Sequence, residues 1–177
     1  MITEKEAVKL LKKYAQSHEQ FKMVYSHAKA VQKVALEIAS KVDGVDMELI
    51  RIGSLLHDIG RFHFPPGNKS IRHGIEGARI LRKEGLPAIA LIAERHVGFG
   101  ITEEDIKRQG LDLPLQDYMP ITKEEKIISW ADNLCFGDEV GTVDEVIAKY
   151  KKEVGDYILE KIKRFEKEIQ EMTKQDT

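Results

Sequence analysis

The stretch Leu55-Leu56-His57-Asp58-Ile59-Gly60-Arg61 places an adjacent histidine and aspartate directly after an apolar pair. Upstream, Leu49 and Ile52 continue the apolar series at helical spacing, so we predict a helix that Asp46 caps and Gly60 stops. A carboxylate in such an apolar setting is costly to bury unless it is paired or bound to a cation. The stretch therefore indicates a helix that ends in a buried polar site.

Helical patterns continue on both sides of this stretch. Four Thr-x-x-acidic sequences are typical of capping boxes, and they begin at Thr3, Thr102, Thr122 and Thr142. The other predicted helices cover about residues 4–15, 21–42, 70–85 with a cap at Ser70, 87–96, 102–110, 122–130, and one or two helices from 142 onward with a break at Gly155. Prolines and glycines indicate loops at 61–69 and 111–121. Because no strand-like alternation is visible, we expect an all-α fold, a single compact helical bundle.

The length of 177 residues suits one domain with one sizeable core. We expect a single domain over residues 1–177, with a core at about 21–137, an N-terminal helix within 1–20 and a C-terminal helical extension over 138–177 packed on it. A narrow apolar stripe marks the extension: Ile158, Ile162, Phe165 and Ile169. Because the stripe spans only two heptads, we favour packing on the domain edge and keep a homo-oligomer contact as the alternative.

Composition excludes several classes of function. The net charge of −2, without a basic stripe, argues against a dedicated nucleic-acid binder. The single cysteine, Cys135, rules out a disulfide within the chain. No apolar run approaches the roughly 20 residues of a membrane span, and residues 1–13 do not resemble a signal peptide. We therefore expect a cytoplasmic protein without a membrane or stable nucleic-acid partner.

Further candidate metal ligands lie on other predicted helices. His27 lies beside the apolar face of the second helix, and Asp132 follows an apolar run. His73 and His96 lie at the start of the fourth helix and the end of the fifth. A lone histidine near an apolar face is more often a satisfied core or capping residue than a ligand. Jointly, however, imidazoles and carboxylates on helices that can face one interior suit a divalent metal site.

These motifs resemble the HD-domain superfamily of metal-dependent phosphohydrolases over roughly Tyr25 to Gly137. The resemblance implies that the ligands of a first metal are His27, His57, Asp58 and Asp132. His73 and His96 lie where dinuclear branches, such as the symmetrical diadenosine tetraphosphate hydrolases, place ligands of a second metal bridged by Asp58. The alternative is that both histidines face substrate or support other ligands. The cyclic-dinucleotide phosphodiesterases are a more distant likeness, because their Gly-Tyr-Pro string is absent here.

Basic residues near the motifs are candidates for binding substrate phosphates, with surface ion pairs as the alternative: Arg61, Lys69, Arg72 and Arg95. Glu76 lies one helical turn after His73 and is a candidate to orient it, or else a solvated helix residue. His63 is a candidate proton donor or an exposed loop residue. His18 lies outside every motif and is expected on the surface.

We therefore predict hydrolysis of a phosphate ester or anhydride of a nucleotide by metal-activated water. Asp58 and Arg61 would be the catalytic residues, and one or two ions of manganese, iron, nickel, zinc or magnesium the cofactors. Two other classes remain open from the sequence. The same ligand set would serve a di-iron oxygenase of the same fold, and the chain would also suit a non-catalytic nucleotide-binding module.

Overall fold

The computed structural model describes residues 2–67 and 69–174. Its α-helices are α1 (Glu4–Tyr14), α2 (His18–Ala39), α3 (Met47–Leu56), α4 (His73–Lys83), α5 (Pro87–Arg95), α6 (Glu103–Gln109), α7 (Lys123–Leu134), α8 (Val143–Val154) and α9 (Ile158–Thr173). Short 3-10 turns cover Ile59–Phe62 and Ser70–Arg72. The prediction of an all-α fold is confirmed.

A small antiparallel hairpin was not predicted. Strands β1 (Cys135–Phe136) and β2 (Glu139–Val140) pair with Cys135 opposite Val140. Two residues per strand are too few for an alternating pattern to be visible in the sequence. The hairpin follows α7 directly, so its turn at Gly137 lies close to the residues at the end of that helix.

The capping prediction is confirmed at three of its four positions. Thr3, Thr102 and Thr142 each form a complete capping box. At Thr122 the predicted box is only half formed, because the hydroxyl accepts the N–H of Glu125 but the carboxylate of that residue does not reach back to Thr122. It accepts the backbone N–H of Ile121 at 2.7 Å instead.

The predicted end of the helix at the central motif was wrong. Helix α3 ends at Leu56 rather than at Gly60, so His57 and Asp58 lie in the turn that follows it. The chain leaves the helix axis there because Gly60 packs on the backbone of α4. A Cβ atom on Gly60 would lie only 1.9 Å from the carbonyl oxygen of His73.

Other boundaries shifted for local reasons. Helix α2 begins three residues before the predicted start, since the hydroxyl of Ser17 caps it, and ends at Ala39 rather than Val42. Ser70 does not cap α4, which begins at His73 after the second 3-10 turn. Residue 68 of the predicted loop 61–69 lies outside the described residues. The C-terminal segment forms two helices separated at Gly155, which has a φ of 91°.

The described residues form two large apolar clusters and a small third one. The first joins α1, α3, α4 and α5 with the N-terminal half of α2, and the second joins the rest of α2 with α7 and α9. The third comprises Ile101, Ile106 and Tyr118. The stripe of α9 is buried in the second cluster, where Phe165 stacks on Trp130 with ring centroids 6.0 Å apart. Packing within the chain therefore accounts for this stripe. Within the described ranges, no helix combines the length and apolarity that a membrane crossing requires.

Candidate metal centre

Six of the predicted side chains meet where α2, α3, α4, α5 and α7 converge. His57 and Asp58 directly follow α3, and His96 directly follows α5. The helices themselves supply His27 from α2, His73 from α4 and Asp132 from α7. Buried residues dominate this group, which we call the His/Asp cluster: His27, His57, Asp58, His73, His96 and Asp132. Its acidic and imidazole groups could hold a divalent metal.

Asp58 lies at the centre of the cluster. Its Oδ1 atom is 3.2 Å from Nε2 of His73 and 3.4 Å from Nε2 of His96. Its Oδ2 atom is 3.7 Å from Nε2 of His27 and 4.0 Å from Nε2 of His57. Each carboxylate oxygen of Asp58 therefore faces a different pair of imidazole rings.

Asp132 completes one side of the cluster. Its Oδ1 atom lies 2.9 Å from Nε2 of His27 and 3.4 Å from Nε2 of His57. The other ring nitrogen of His27 contacts the carbonyl oxygen of Gly137 at 2.6 Å. The β1–β2 turn thus orients His27, a role that the sequence analysis missed because the hairpin was not predicted.

Backbone carbonyls orient the other three imidazoles. In His57, His73 and His96, Nδ1 donates to the carbonyl oxygen of the residue three positions earlier. These acceptors are Ser54 at 2.7 Å, Ser70 at 2.5 Å and Ala93 at 2.7 Å. A donating Nδ1–H directs Nε2 toward the cluster, and this is how metal-ligating histidines are commonly held. Each acceptor lies three residues before its histidine, but the sequence alone does not show that these pairs are hydrogen-bonded.

Both carboxyl groups of the cluster are ionised. Burial alone would raise the pKa of Asp58, but its histidine neighbours, His57 foremost, hold that pKa well below its usual range. For Asp132 burial acts in the same direction, but His27, His57 and His96 together outweigh it, so this pKa is also held low. One buried and one half-buried carboxylate need cations beside them, which favours metal binding.

The histidines differ in protonation. Burial lowers the pKa of His73 to about 3, which keeps this ring neutral. Burial also lowers the pKa of His27, but the bond to Asp132 and the charges of both aspartates outweigh it and raise the pKa to about 9. For His96, Asp58 and Asp132 together outweigh burial and raise the pKa. At neutral pH His27 therefore carries a proton beside Asp132, where a cation could take its place.

Two polar atoms of the cluster lack a hydrogen-bond partner in the part of the chain that the structure describes, and a metal ion could replace that partner. Among the described residues, His57 Nε2 and Asp58 Oδ1 are buried without a hydrogen-bond partner. Such orphaned atoms are costly unless something else binds them. A cation accepts lone pairs from both, so a metal at this position would remove the cost. The residues present therefore fit a divalent metal.

Only one of the four predicted phosphate-binding residues reaches the cluster. Nε of Arg61 lies 3.4 Å from Oδ1 of Asp58, and this residue lines the adjoining cavity. Arg72 pairs with Asp112 at 3.0 Å, and Arg95 donates to both carboxylate oxygens of Glu125 at 3.1 Å. Neither arginine is among the residues that line the cavity, nor is Lys69.

The remaining predicted residues lie apart from the cluster. Nδ1 of His63 contacts a carboxylate oxygen of Glu76 at 2.6 Å, and Arg79 holds the same carboxylate. Glu76 therefore orients His63 rather than His73, whose Nδ1 is taken by a backbone carbonyl. His18 is exposed at the start of α2, as predicted.

A cavity of about 620 Å³ opens onto the His/Asp cluster. Besides the cluster and Arg61, its walls include residues of α6, α8 and α9. Several polar residues of this wall had no predicted role, among them Lys149, Tyr150, Lys161 and, between α8 and α9, Tyr157. Tyr150 donates a hydrogen bond to the Oδ1 atom of Asn133, the neighbour of Asp132. No periodicity or motif identifies such residues, because only the packing of the C-terminal helices brings them to the cavity.

The HD domain family matches residues 24–137 of this chain. An uncharacterised protein of Methanocaldococcus jannaschii is 47% identical over 137 residues, which are 75% of this chain and 78% of the relative. Two proteins named tRNA (cytidine(56)-2'-O)-methyltransferase are also similar. The one from Thermoplasma volcanium is 36% identical over 94% of this chain, and the one from Picrophilus torridus is 39% identical over 83%. The chain spans only 46% and 41% of their lengths.

Among solved structures, the HD domain of the Listeria monocytogenes phosphodiesterase PgpH has a similar fold. Its complex with cyclic-di-AMP superposes with a TM-score of 0.56 over 93% of both chains at 22% sequence identity. A second PgpH HD-domain structure gives a TM-score of 0.55 over 92% of this chain and 94% of the other. The family match covers the whole His/Asp cluster, and the fold agrees with it. The chain belongs to the HD-domain superfamily of metal-dependent phosphohydrolases.

Proposed function

We propose that this chain hydrolyses a phosphate ester or anhydride of a nucleotide at a centre of two divalent metal ions. The observation that carries the proposal is the position of Asp58, whose two oxygens face two separate pairs of imidazole nitrogens at 3.2–4.0 Å. One carboxylate can bridge two ions, and two ions together can hold both the attacking and the leaving oxygen of a phosphate ester.

The cluster divides into two ligand sets in this proposal. His27, His57, Asp58 and Asp132 would hold the first ion. His73 and His96 would hold the second, with Asp58 shared between the two. Such ions acidify a bound water and neutralise phosphate charge when they are present. The rings would keep their orientation through the Nδ1 bonds to backbone carbonyls, so the ligands need little rearrangement on metal binding.

Arg61 would act on the substrate itself. Its side chain is 24% exposed and lies beside Asp58 at the cavity wall. A guanidinium here would bind the phosphate oxygens and stabilise the negative charge that develops as the bond breaks. This role does not extend to the other three basic candidates. Arg72 and Arg95 are paired with Asp112 and Glu125, and Lys69 does not line the cavity.

Two observations support a nucleotide as substrate. The cavity of about 620 Å³ is within the range of sites that enclose small molecules of nucleotide size. The PgpH HD domain, which shares the fold, was solved with cyclic-di-AMP. The shared fold and the size of the cavity together lead us to propose a nucleotide as the substrate of this chain.

The names of two relatives suggest a different activity. Both are tRNA methyltransferases, but more than half of each lies outside the part that matches this chain. Methyl transfer has no evident use for a largely buried cluster of four imidazoles and two carboxylates. We therefore propose that the shared segment contributes phosphate chemistry, and we expect no methylation of tRNA by this chain.

Hydrolysis by metal-reconstituted protein tests the proposal. The chain is stripped with a chelator, reloaded with manganese, iron, nickel, zinc or magnesium, and assayed for phosphate release from nucleotides and p-nitrophenyl phosphate. We expect turnover with at least one metal and a loss of about 100-fold or more in Asp58→Asn. Asp112→Asn, an exposed aspartate outside the cluster, is the matched control and should retain full activity.

Other outcomes identify the competing functions. Oxygen consumption and a mixed-valent signal in the iron-loaded protein, without phosphate release, would replace hydrolysis with oxygenase chemistry. Nucleotide binding without turnover under every metal would indicate a binding module. Transfer of a labelled methyl group to tRNA would assign the relatives' named activity to this segment.

A further inference from the structure

The C-terminal helices form part of the cavity wall. The family match ends at residue 137, yet residues of α8 and α9 and of the segment between them line the cavity that opens onto the His/Asp cluster. The HD core therefore supplies the cluster, and a segment outside the matched region contributes to the space where the rest of a substrate would lie. This division suggests that the segment selects the substrate.

Tyr157, between α8 and α9, is one of the two tyrosines that this segment contributes to the wall. Its ring centroid lies 4.5 Å from the guanidinium carbon of Arg108, and its hydroxyl accepts a hydrogen bond from the side-chain amide of Gln109. Both partners belong to α6, and Gln109 also lines the cavity. The contacts of Tyr157 thus join the C-terminal segment to α6 and involve no residue of the His/Asp cluster.

Lys161 holds this wall in place. Its ammonium donates to Oδ2 of Asp105 at 2.7 Å and to the carbonyl oxygen of Gly100 at 2.5 Å. The side chains of Lys161 and Asp105 are only 14% and 10% exposed. The pair connects α9 to the start of α6, so the wall is formed before any ligand enters. A preformed site loses less conformational entropy on binding, which favours selective recognition.

The two parts of the cavity differ in chemistry. The His/Asp cluster and Arg61 suit a phosphate, whereas Tyr157 and Gln109 offer an aromatic ring and an amide. Nucleobases stack on aromatic side chains and hydrogen-bond through their edges. We propose that α6 and the α8–α9 junction form a subsite for the base of a nucleotide, with Tyr157 and Gln109 as contacting residues. This inference rests on the proposed function for the position of the phosphate.

Binding of non-hydrolysable probes tests the subsite apart from catalysis. The probes are the methylenephosphonate analogues of AMP, GMP, CMP and UMP, with methylphosphonate as the base-free comparison. Dissociation constants are measured by calorimetry on the full chain loaded with manganese. We expect at least one nucleoside phosphonate to bind about tenfold or more tightly than methylphosphonate, the scale of one base stacked on an aromatic ring.

Four variants locate the contact. Tyr157→Ala should remove the preference for the nucleoside phosphonate and leave methylphosphonate binding unchanged, while Tyr157→Phe should keep most of it. Gln109→Ala, at an exposed position, should weaken the same preference. Tyr14→Ala is the matched control, because Tyr14 is also half-buried, bonded through its hydroxyl to Glu84 and flanked by a lysine, but lies outside the cavity wall. It should leave both affinities unchanged.

The outcomes separate this inference from the proposed function. Equal affinity of wild-type protein for methylphosphonate and all four nucleoside phosphonates would overturn the base subsite, as would equal loss for both probe types in Tyr157→Ala. Nucleotide hydrolysis would stand in either case. Conversely, a preference that depends on Tyr157, in a protein that hydrolyses nothing, would support the subsite and overturn the catalytic proposal.

Discussion

The Nε2 atoms of His73 and His96 lie 3.0 Å apart. Since both Nδ1 atoms donate to backbone carbonyls, the two Nε2 atoms face each other as lone pairs unless a cation lies between them. Burial lowers the pKa of His73 and keeps that ring neutral. Burial also lowers the pKa of His96, but the contacts with Asp58 and the charge of Asp132 outweigh it and raise that pKa. Nitrogens bound at about 2.1 Å to one ion lie roughly 3.0–3.4 Å apart, so the separation of this pair suits one metal ion.

The position of His73 beside His96 predicts how many metal ions the chain binds. Gently purified protein should hold about two ions per chain, and His73→Ala or His96→Ala should each lower the content to about one. His63→Ala is the control, since His63 contacts Glu76 outside the cluster and should not affect the count. About one ion per chain, unchanged in both variants but lost in Asp58→Asn, would instead assign the two histidines to substrate or support. No metal in any preparation would exclude the metal-dependent proposal.

Two arginines close to the motifs should behave in opposite ways. Arg61→Met should lower kcat/KM by about 10- to 100-fold with little effect on stability, because this guanidinium is proposed to stabilise charge on the substrate. Arg95→Met should leave kcat/KM nearly unchanged but lower the free energy of unfolding by about 2 kcal/mol, since it leaves the Glu125 carboxylate buried without its cation. Steady-state kinetics and urea unfolding of the two variants test these expectations. If both variants lost kcat/KM equally, Arg95 would be a substrate-binding residue after all.

Gly60 should tolerate no side chain. A Cβ atom there would lie 1.9 Å from the carbonyl oxygen of His73 and 2.6 Å from the backbone N of Gly77, and neither backbone atom can move aside. We expect Gly60→Ala to lower the free energy of unfolding by about 3 kcal/mol or more and to displace Asp58 from His73. Gly77→Ala is the comparison, because its nearest new contacts are at 3.3 Å and should cost much less. Thermal unfolding and metal content of both variants check this, and similar stabilities would contradict it.

The Asp105–Lys161 pair should make stability depend on acid pH. Burial raises the pKa of Asp105, but the bond from Lys161 and the capping bonds of Thr102 outweigh it and lower the pKa below its ordinary value of 3.8. The stabilising contribution is therefore complete above about pH 4, where the unfolded carboxyl is ionised, and is lost as pH falls through the lower folded pKa.

Unfolding free energies measured between about pH 5 and pH 2 test this dependence. Asp105→Asn should unfold with a shallower dependence on pH than the wild type. Asp112→Asn, with its side chain 53% exposed, should not change the slope. An unchanged slope in Asp105→Asn would show that the pair contributes nothing to acid stability.

Local patterns determined much of this protein. The all-α class, most helix positions and three of four capping boxes follow from periodicity and side-chain chemistry over a few residues. The motif around His57 and Asp58 was specific enough to indicate the family, and the other ligand candidates lie at helix positions that can face one interior. Each of these signals depends on residues close together in the chain, where spacing alone decides which side chains share a face.

Only the tertiary structure decided which of the predicted residues lie together. It brings His27, Asp58, His73, His96 and Asp132 within reach of one another across five helices, and directs Arg95 to Glu125. It also places Tyr157 and Lys161, which no motif marks, at the wall of the cavity. The physical reason is that these contacts join residues far apart in sequence, and their partners are chosen by how the helices pack rather than by local preference.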